Sequence, residues 1–142
     1  MLYAGIKDRV VAFVDNIAIT SSELDEVYSE SIKLNPEITK EDVLNSMINR
    51  ILLLREAKKL HLNAPSDDEV LKEYISLKMR PHIKEEDISD FYHKHIDDFR
   101  GKGFEAVREE IEHYLAEKEL NQLLKKHIEE LRKKAYIKIQ LE

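Results

Sequence analysis

TKEDVLNSMINRILLLREAKKLHL, residues 39–62, decides how the rest of this chain must be arranged. Its apolar positions Val43, Leu44, Met47, Ile48, Ile51, Leu52 and Leu54 recur three and four apart, which gathers them on one broad face of an α-helix. A face that wide has to be buried. Thr39 with Asp42 makes an N-cap, Asn63 is expected to stop the helix in a left-handed conformation, and Pro65 forbids continuation. Leu53 and Leu60 fall outside the stripe, so the second half of the helix is apolar almost all round and predicts burial among several elements.

On the N-terminal side, RVVAFVDNIAIT from Arg9 to Thr20 reads as a β-hairpin. Val10, Val11, Phe13 and Val14 are strand formers, Asp15-Asn16 is turn chemistry, and Ile17 and Ile19 resume the alternation. Two strands alone are marginal in water and call for a third strand or a covering helix. Thr20 and Glu23 then match a capping box, and Leu24, Val27, Tyr28, Ile32 and Leu34 mark a helix that Pro36 closes.

On the C-terminal side, Ser66 and Glu69 repeat the capping signature, and Val70, Leu71, Tyr74, Ile75 and Leu77 give a one-faced helix ending before Pro81. Lys84–Arg100 is expected to be one helix with the narrow stripe Ile88, Phe91, Tyr92, His95, Ile96 and Phe99. Gly101-Lys102-Gly103 breaks it. From Phe104 to about Lys134, Val107, Ile111, Leu115, Leu120, Leu124, Ile128, Leu131 and Ala135 mark a helix of roughly 45 Å at about 1.5 Å per residue. The spacing slips between Leu115 and Leu120, so its two halves are expected to pack on different neighbours. Ala135–Leu141, AYIKIQL, alternates polar and apolar residues as a half-buried strand does, and supplies the strand that the hairpin lacks. The expected fold is therefore mostly α with a small β-sheet, the N-terminal hairpin pairing with the C-terminal strand.

Composition narrows the function. A chain of 142 residues with 42% hydrophobic content suits one core, hence one domain over residues 1–142, and 37% charged residues with three glycines and three prolines suit helices better than a β-sandwich. The net charge of -6 opposes nucleic-acid binding, which needs a concentrated basic face. Lys58-Lys59, Lys125-Lys126 and Arg132–Lys134 mostly close helices, where they complement the dipole. With no cysteine there is no disulfide, thiolate metal site or cysteine nucleophile. No stretch is apolar enough to cross a membrane, and the segment before Arg9 is too short and polar for an intact secretory signal. Either the protein is cytosolic or a signal was removed ahead of this sequence.

The order of these segments resembles the SurA-type periplasmic chaperones. VVAFVDNIAITSSELDEVY resembles their opening strand pair and capped helix, and EDVLNSMINRILLLREAKKLHLNAPSDDEV their central helix, break and next helix. ISDFYHKHIDDFR is similar to the segment leading into their parvulin prolyl isomerase domain. FEAVREEIEHYLAEKELNQLLKKHIEELRKKAYIKIQL is similar to the long helix and strand that follow it. Where that family carries parvulin domains of about a hundred residues, this chain has only Gly101, Lys102 and Gly103 between its N-terminal part, residues 9–100, and its C-terminal part, residues 104–142. The resemblance implies a chaperone core, related to the peptide-binding region of trigger factor, that holds unfolded or extended polypeptide clients without ATP or any cofactor. It implies a periplasmic or secreted site of action in outer-membrane or secreted protein biogenesis, and gives no ground for isomerase activity.

Candidate sites follow the same logic. A promiscuous groove wants adaptable apolar side chains, and Leu53, Tyr74, Leu77, Met79, Phe91, Tyr92 and Phe99 stray from the packed stripes or end the helical arms. His93 and His95 lie two apart on a helix and point about 200° from each other, so no shared metal is expected, and His95 reads as a hydrogen-bonded core histidine. The carboxylate runs at Asp67–Glu69, Glu85–Asp87 and Glu109-Glu110 read as solvated helix starts and faces rather than an acid-base pair. No phosphate-binding glycine loop or nucleophile elbow is present. The alternative to a holding chaperone is a segment-swapped dimer that scaffolds a partner, because so short a link after Phe99 leaves the long helix little freedom to return onto its own chain.

Overall fold

The computed structural model describes residues 8–141; the lead segment, residues 1–7, and Glu142 lie outside the described residues. Strand β1 (Val10–Val14) and strand β2 (Ile17–Thr20) pair antiparallel across a two-residue turn in which Asp15 takes a left-handed conformation, φ 52°, tolerated by a short polar side chain. Strand β3 (Ile137–Ile139) pairs antiparallel on the other side of β1, giving the order β2-β1-β3. The two ends of the chain thus share one sheet, as the alternation in AYIKIQL predicts. Asp15 N–H donates to the Tyr136 carbonyl at 2.7 Å, and Gln140 N–H to the Val11 carbonyl at 2.9 Å. From Val11 on, odd-numbered residues of β1 therefore turn their backbone toward β3 and even-numbered ones toward β2. An irregularity between Val10 and Ala12 breaks the alternation, so Val11 and Ala12 are both buried.

Helix α1 (Ser21–Leu34) and helix α2 (Lys40–Lys59) start at the capping boxes anticipated, Thr20 with Glu23 and Thr39 with Asp42. In the second box, Thr39 Oγ1 accepts from Asp42 N–H at 3.0 Å and Thr39 N–H donates to Asp42 Oδ2 at 3.1 Å. The end of α2 differs from expectation by two residues. His61, not Asn63, takes the left-handed conformation, φ 57°, its N–H donating to Lys58 O at 3.0 Å while Leu62 N–H approaches Ala57 O at 3.5 Å. Those two bonds are the paired closure of a Schellman motif, which fixes the stop where carbonyls need partners rather than at the better left-handed residue further on. Leu53 is buried as the all-round apolar reading requires, whereas Leu60 beyond it is exposed.

The described chain divides into two compact units, Lys72–His127 and the remainder up to Leu71 together with Ile128 onward. In the latter, Val11, Ala12, Val14 and Ile19 of the sheet pack with Leu24 of α1 and with Val43, Leu44, Ile48 and Leu52 of α2. Fully burying a side chain such as Leu44 or Ile48 is worth about 1.5–3 kcal/mol. Leu131, Ala135, Ile137 and Leu141 close over this core. Arg132 adds direction: its guanidinium donates to Asn49 Oδ1 at 2.7 Å and to Asn45 Oδ1 at 2.9 Å, two oxygens one turn apart on α2.

Helix α3 (Asp67–Lys78) begins after Ser66, whose hydroxyl accepts from Glu69 N–H at 3.2 Å. In the unit from Lys72 to His127, the segment expected to be one helix over Lys84–Arg100 is instead helix α4 (Glu85–Lys94) followed by a 3-10 turn at Ile96–Phe99. Asp97 and Asp98 would lie at the negative end of a longer helix, which the helix dipole opposes. Arg100 and Gly101 are consecutive left-handed residues, φ 51° and 81°, and reverse the chain. Helix α5 (Phe104–Lys134) then lays Val107 and Ile111 against Ile88 and Tyr92 within one chain. Within this one chain, the two left-handed residues are enough to return the helix. The slip in spacing reads as expected, Leu115 packing in this cluster and Leu131 in the sheet's core.

Candidate polypeptide-binding site

The seven candidate residues part company according to what packs over them. Leu53, Tyr74, Met79 and Tyr92 are buried, Phe91 and Phe99 are half-buried, and Leu77 is 53% exposed. The Tyr74 hydroxyl is 2.7 Å from His127 Nε2, and Tyr92 donates its hydroxyl to the Lys102 carbonyl at 2.6 Å. Tyr92 thus spends its polar end on holding the Gly101–Gly103 link. Leu53, Tyr74, Met79 and Tyr92 belong to the packing in this form, because their stripes meet partners that a single helix's periodicity cannot reveal.

Phe91 and Phe99 lie in an open groove. With His95, Ile111 and Tyr114 they line a depression of about 250 Å³, rimmed by Asp98 and Glu110. It shares Phe91, His95 and Tyr114 with a broader one of about 520 Å³ that continues past Ile83 and Leu115 between α4 and α5. The rings make a connected set: Phe91 stacks on His95 at 4.2 Å between centroids, lies 5.4 Å from Tyr114, and meets Phe99 edge-on at 6.4 Å. Such rings offer wide contact area with few torsions to freeze. His95 is exposed rather than in the core, its Nδ1 within 3.0 Å of the Phe91 carbonyl. His93 makes the equivalent bond, Nδ1 to the Ser89 carbonyl at 2.8 Å, so each ring is bound back to its own helix.

Tyr114, 50% exposed, escaped the sequence reading. The signal was present: it lies three residues after Ile111 and beside Leu115, where an aromatic flanks the stripe that packs on α4. Around the rings, Asp87, Asp90, Asp98, Glu110 and Glu119 outnumber Lys94 and Lys118. The rim is therefore net acidic and would complement a cationic group better than a carboxylate.

Carboxylates with displaced pKa values lie elsewhere and have structural work. Asp8 is held below the usual carboxylate range by the Ser22 hydroxyl and backbone N–H, which it accepts at the start of α1. Asp15 is lowered by the Tyr136 N–H and then by Arg55. Among the described residues no group of three or more histidine, aspartate or glutamate side chains is placed to hold a metal ion, and no helix is long and apolar enough to cross a membrane. No protein-family model matches the chain, and no curated protein matches it.

Proposed function

We propose that this chain is an ATP-independent holding chaperone for unfolded or extended polypeptides, acting in outer-membrane or secreted protein biogenesis, without a prolyl isomerase domain of its own. The observation that carries the reading is the groove of Phe91, Phe99 and Tyr114, a connected apolar surface left open between two helices. Apolar rings left uncovered in a groove are the feature that client binding requires. Its rings recognise area and not sequence, which is what a client range of unrelated unfolded chains demands. Support also comes from the order of the segments: a strand pair, capped helices, a three-residue link and a long helix returning to the same sheet. That order resembles the SurA-type core with its inserted isomerase domain replaced by Gly101–Gly103.

The test is light scattering of an unfolded outer-membrane protein diluted from urea, with and without this chain. Suppression near equal molar amounts is the expected result. Aggregation unchanged at every ratio overturns the proposal. A proline-peptide isomerisation assay run beside it is expected to stay at the uncatalysed rate.

A further inference from the structure

The outer side of β2 offers something the ring-lined groove does not. Ala18 stands opposite Phe13, whose backbone belongs to the β3 side of the sheet, so Ala18 directs its own N–H and C=O away from β1. Among the described residues no backbone group meets them there. The next outward N–H, that of Thr20, is already satisfied by the Glu23 carboxylate at 3.0 Å. Beside this open backbone lies a groove of about 580 Å³, floored by Ile17, Ile19, Val27, Met47 and Ile51. Ile17 and Ile19 share one face of β2, so the groove lies where the core-side residues of an additional strand would fall.

We propose that this edge takes a short extended segment of unfolded polypeptide as a fourth strand, its backbone bonding Ala18 and its alternate apolar side chains entering the groove. The chemistry selects the occupant. Two open backbone groups require an extended chain. The groove's two charged side chains are held by neighbours, the Glu23 carboxylate accepting from Thr20 N–H and Arg50 pairing with Asp68 at 2.8 Å; apart from these and Ser46 the lining is apolar, so apolar side chains are its complement. The occupant therefore differs in kind from the segments favoured by the acidic-rimmed groove of α4 and α5. Only the source of the segment, an unfolded client, rests on the holding function proposed above.

The experiment uses the full chain and a short fluorescein-labelled peptide of alternating valine and threonine, read by anisotropy and by hydrogen exchange at the Ala18 amide. Binding should slow exchange at Ala18 by roughly tenfold or more. Ala18→Pro removes the outward donor without touching the β1 ladder and should abolish binding while circular dichroism stays native. Ile17→Lys, at a side chain 40% exposed, provides a second block should the proline variant fail to fold. No binding, or binding that leaves Ala18 exchange and both variants unaffected, overturns the inference. So does protection at Ala18 without peptide: if it grows with concentration the occupant is a second copy, and if it does not the occupant is residues 1–7 of the same chain. Suppressed client aggregation with no peptide effect at Ala18 would sink this inference alone. Peptide protection at Ala18 with unsuppressed aggregation would sink the holding function alone.

Discussion

Asp15 and Tyr136, 121 positions apart, hold each other twice: Asp15 N–H donates to the Tyr136 carbonyl at 2.7 Å, and the Asp15 carboxylate accepts from Tyr136 N–H at 2.7 Å. Arg55 Nη1 reaches the same carboxylate at 2.5 Å. One turn residue thereby joins the hairpin, α2 and the returning strand.

Asp15→Asn keeps a side chain suited to the left-handed turn and removes the charge. Because the folded-state pKa of Asp15 is lowered, its contribution is fully present above the unfolded carboxylate value of about 3.9 and is lost as pH falls through the folded value. The variant should melt at a lower temperature than the parent at neutral pH. That gap should close on acidification below about pH 4. A gap constant across the whole titration would disprove the linkage.

Thr39→Ala deletes the hydroxyl that accepts from Asp42 N–H at the start of α2. Urea unfolding should show a loss of about 1 kcal/mol, and Thr39→Gly a loss of a few tenths.

His61→Gly tests the end of the same helix. A left-handed non-glycine residue costs roughly 1–2 kcal/mol, and glycine returns roughly 0.4–1 kcal/mol of that through the freer unfolded chain. The variant should be more stable by about 0.5–1 kcal/mol. A destabilised variant would mean the imidazole does more than occupy the turn.

Leu44→Ala opens a cavity in the core beside the sheet and should cost about 2–5 kcal/mol in urea unfolding. Leu34→Ala is its control: that side chain is 92% exposed, so the change should stay within about 0.5 kcal/mol.

Tyr114→Ala should leave the melting temperature close to the parent's and weaken client capture about five- to thirty-fold, as removal of an aromatic anchor worth about 1–2 kcal/mol would. Client capture in anisotropy titrations that ignores this change would remove the ring-lined groove from the mechanism.

What could be read from the residues beforehand was whatever is decided locally. Thr20 with Glu23 and Thr39 with Asp42 mark helix starts because the capping partners are three residues apart, and Phe104–Lys134 was legible because no breaker interrupts it. Lys84–Arg100 misled because Ile88, Phe91, His95 and Phe99 keep helical spacing across a segment that has already tightened at Ile96. The residues of the candidate groove were the least legible. Tyr92 and Phe91 are neighbours of similar chemistry, yet one is buried under the link and the other faces an open groove. Which is which depends on the register of α5 against α4, a tertiary fact absent from either helix alone.

β1 lies at the middle of its sheet, so its backbone at Val11 and Asp15 waits for Gln140 and Tyr136. During synthesis the first strand therefore leaves the ribosome long before its second neighbour exists, and the sheet can be completed only after translation has passed those residues. Until then the nascent segment carries an unzipped flank prone to the same unwanted pairing that the finished molecule is proposed to prevent in others.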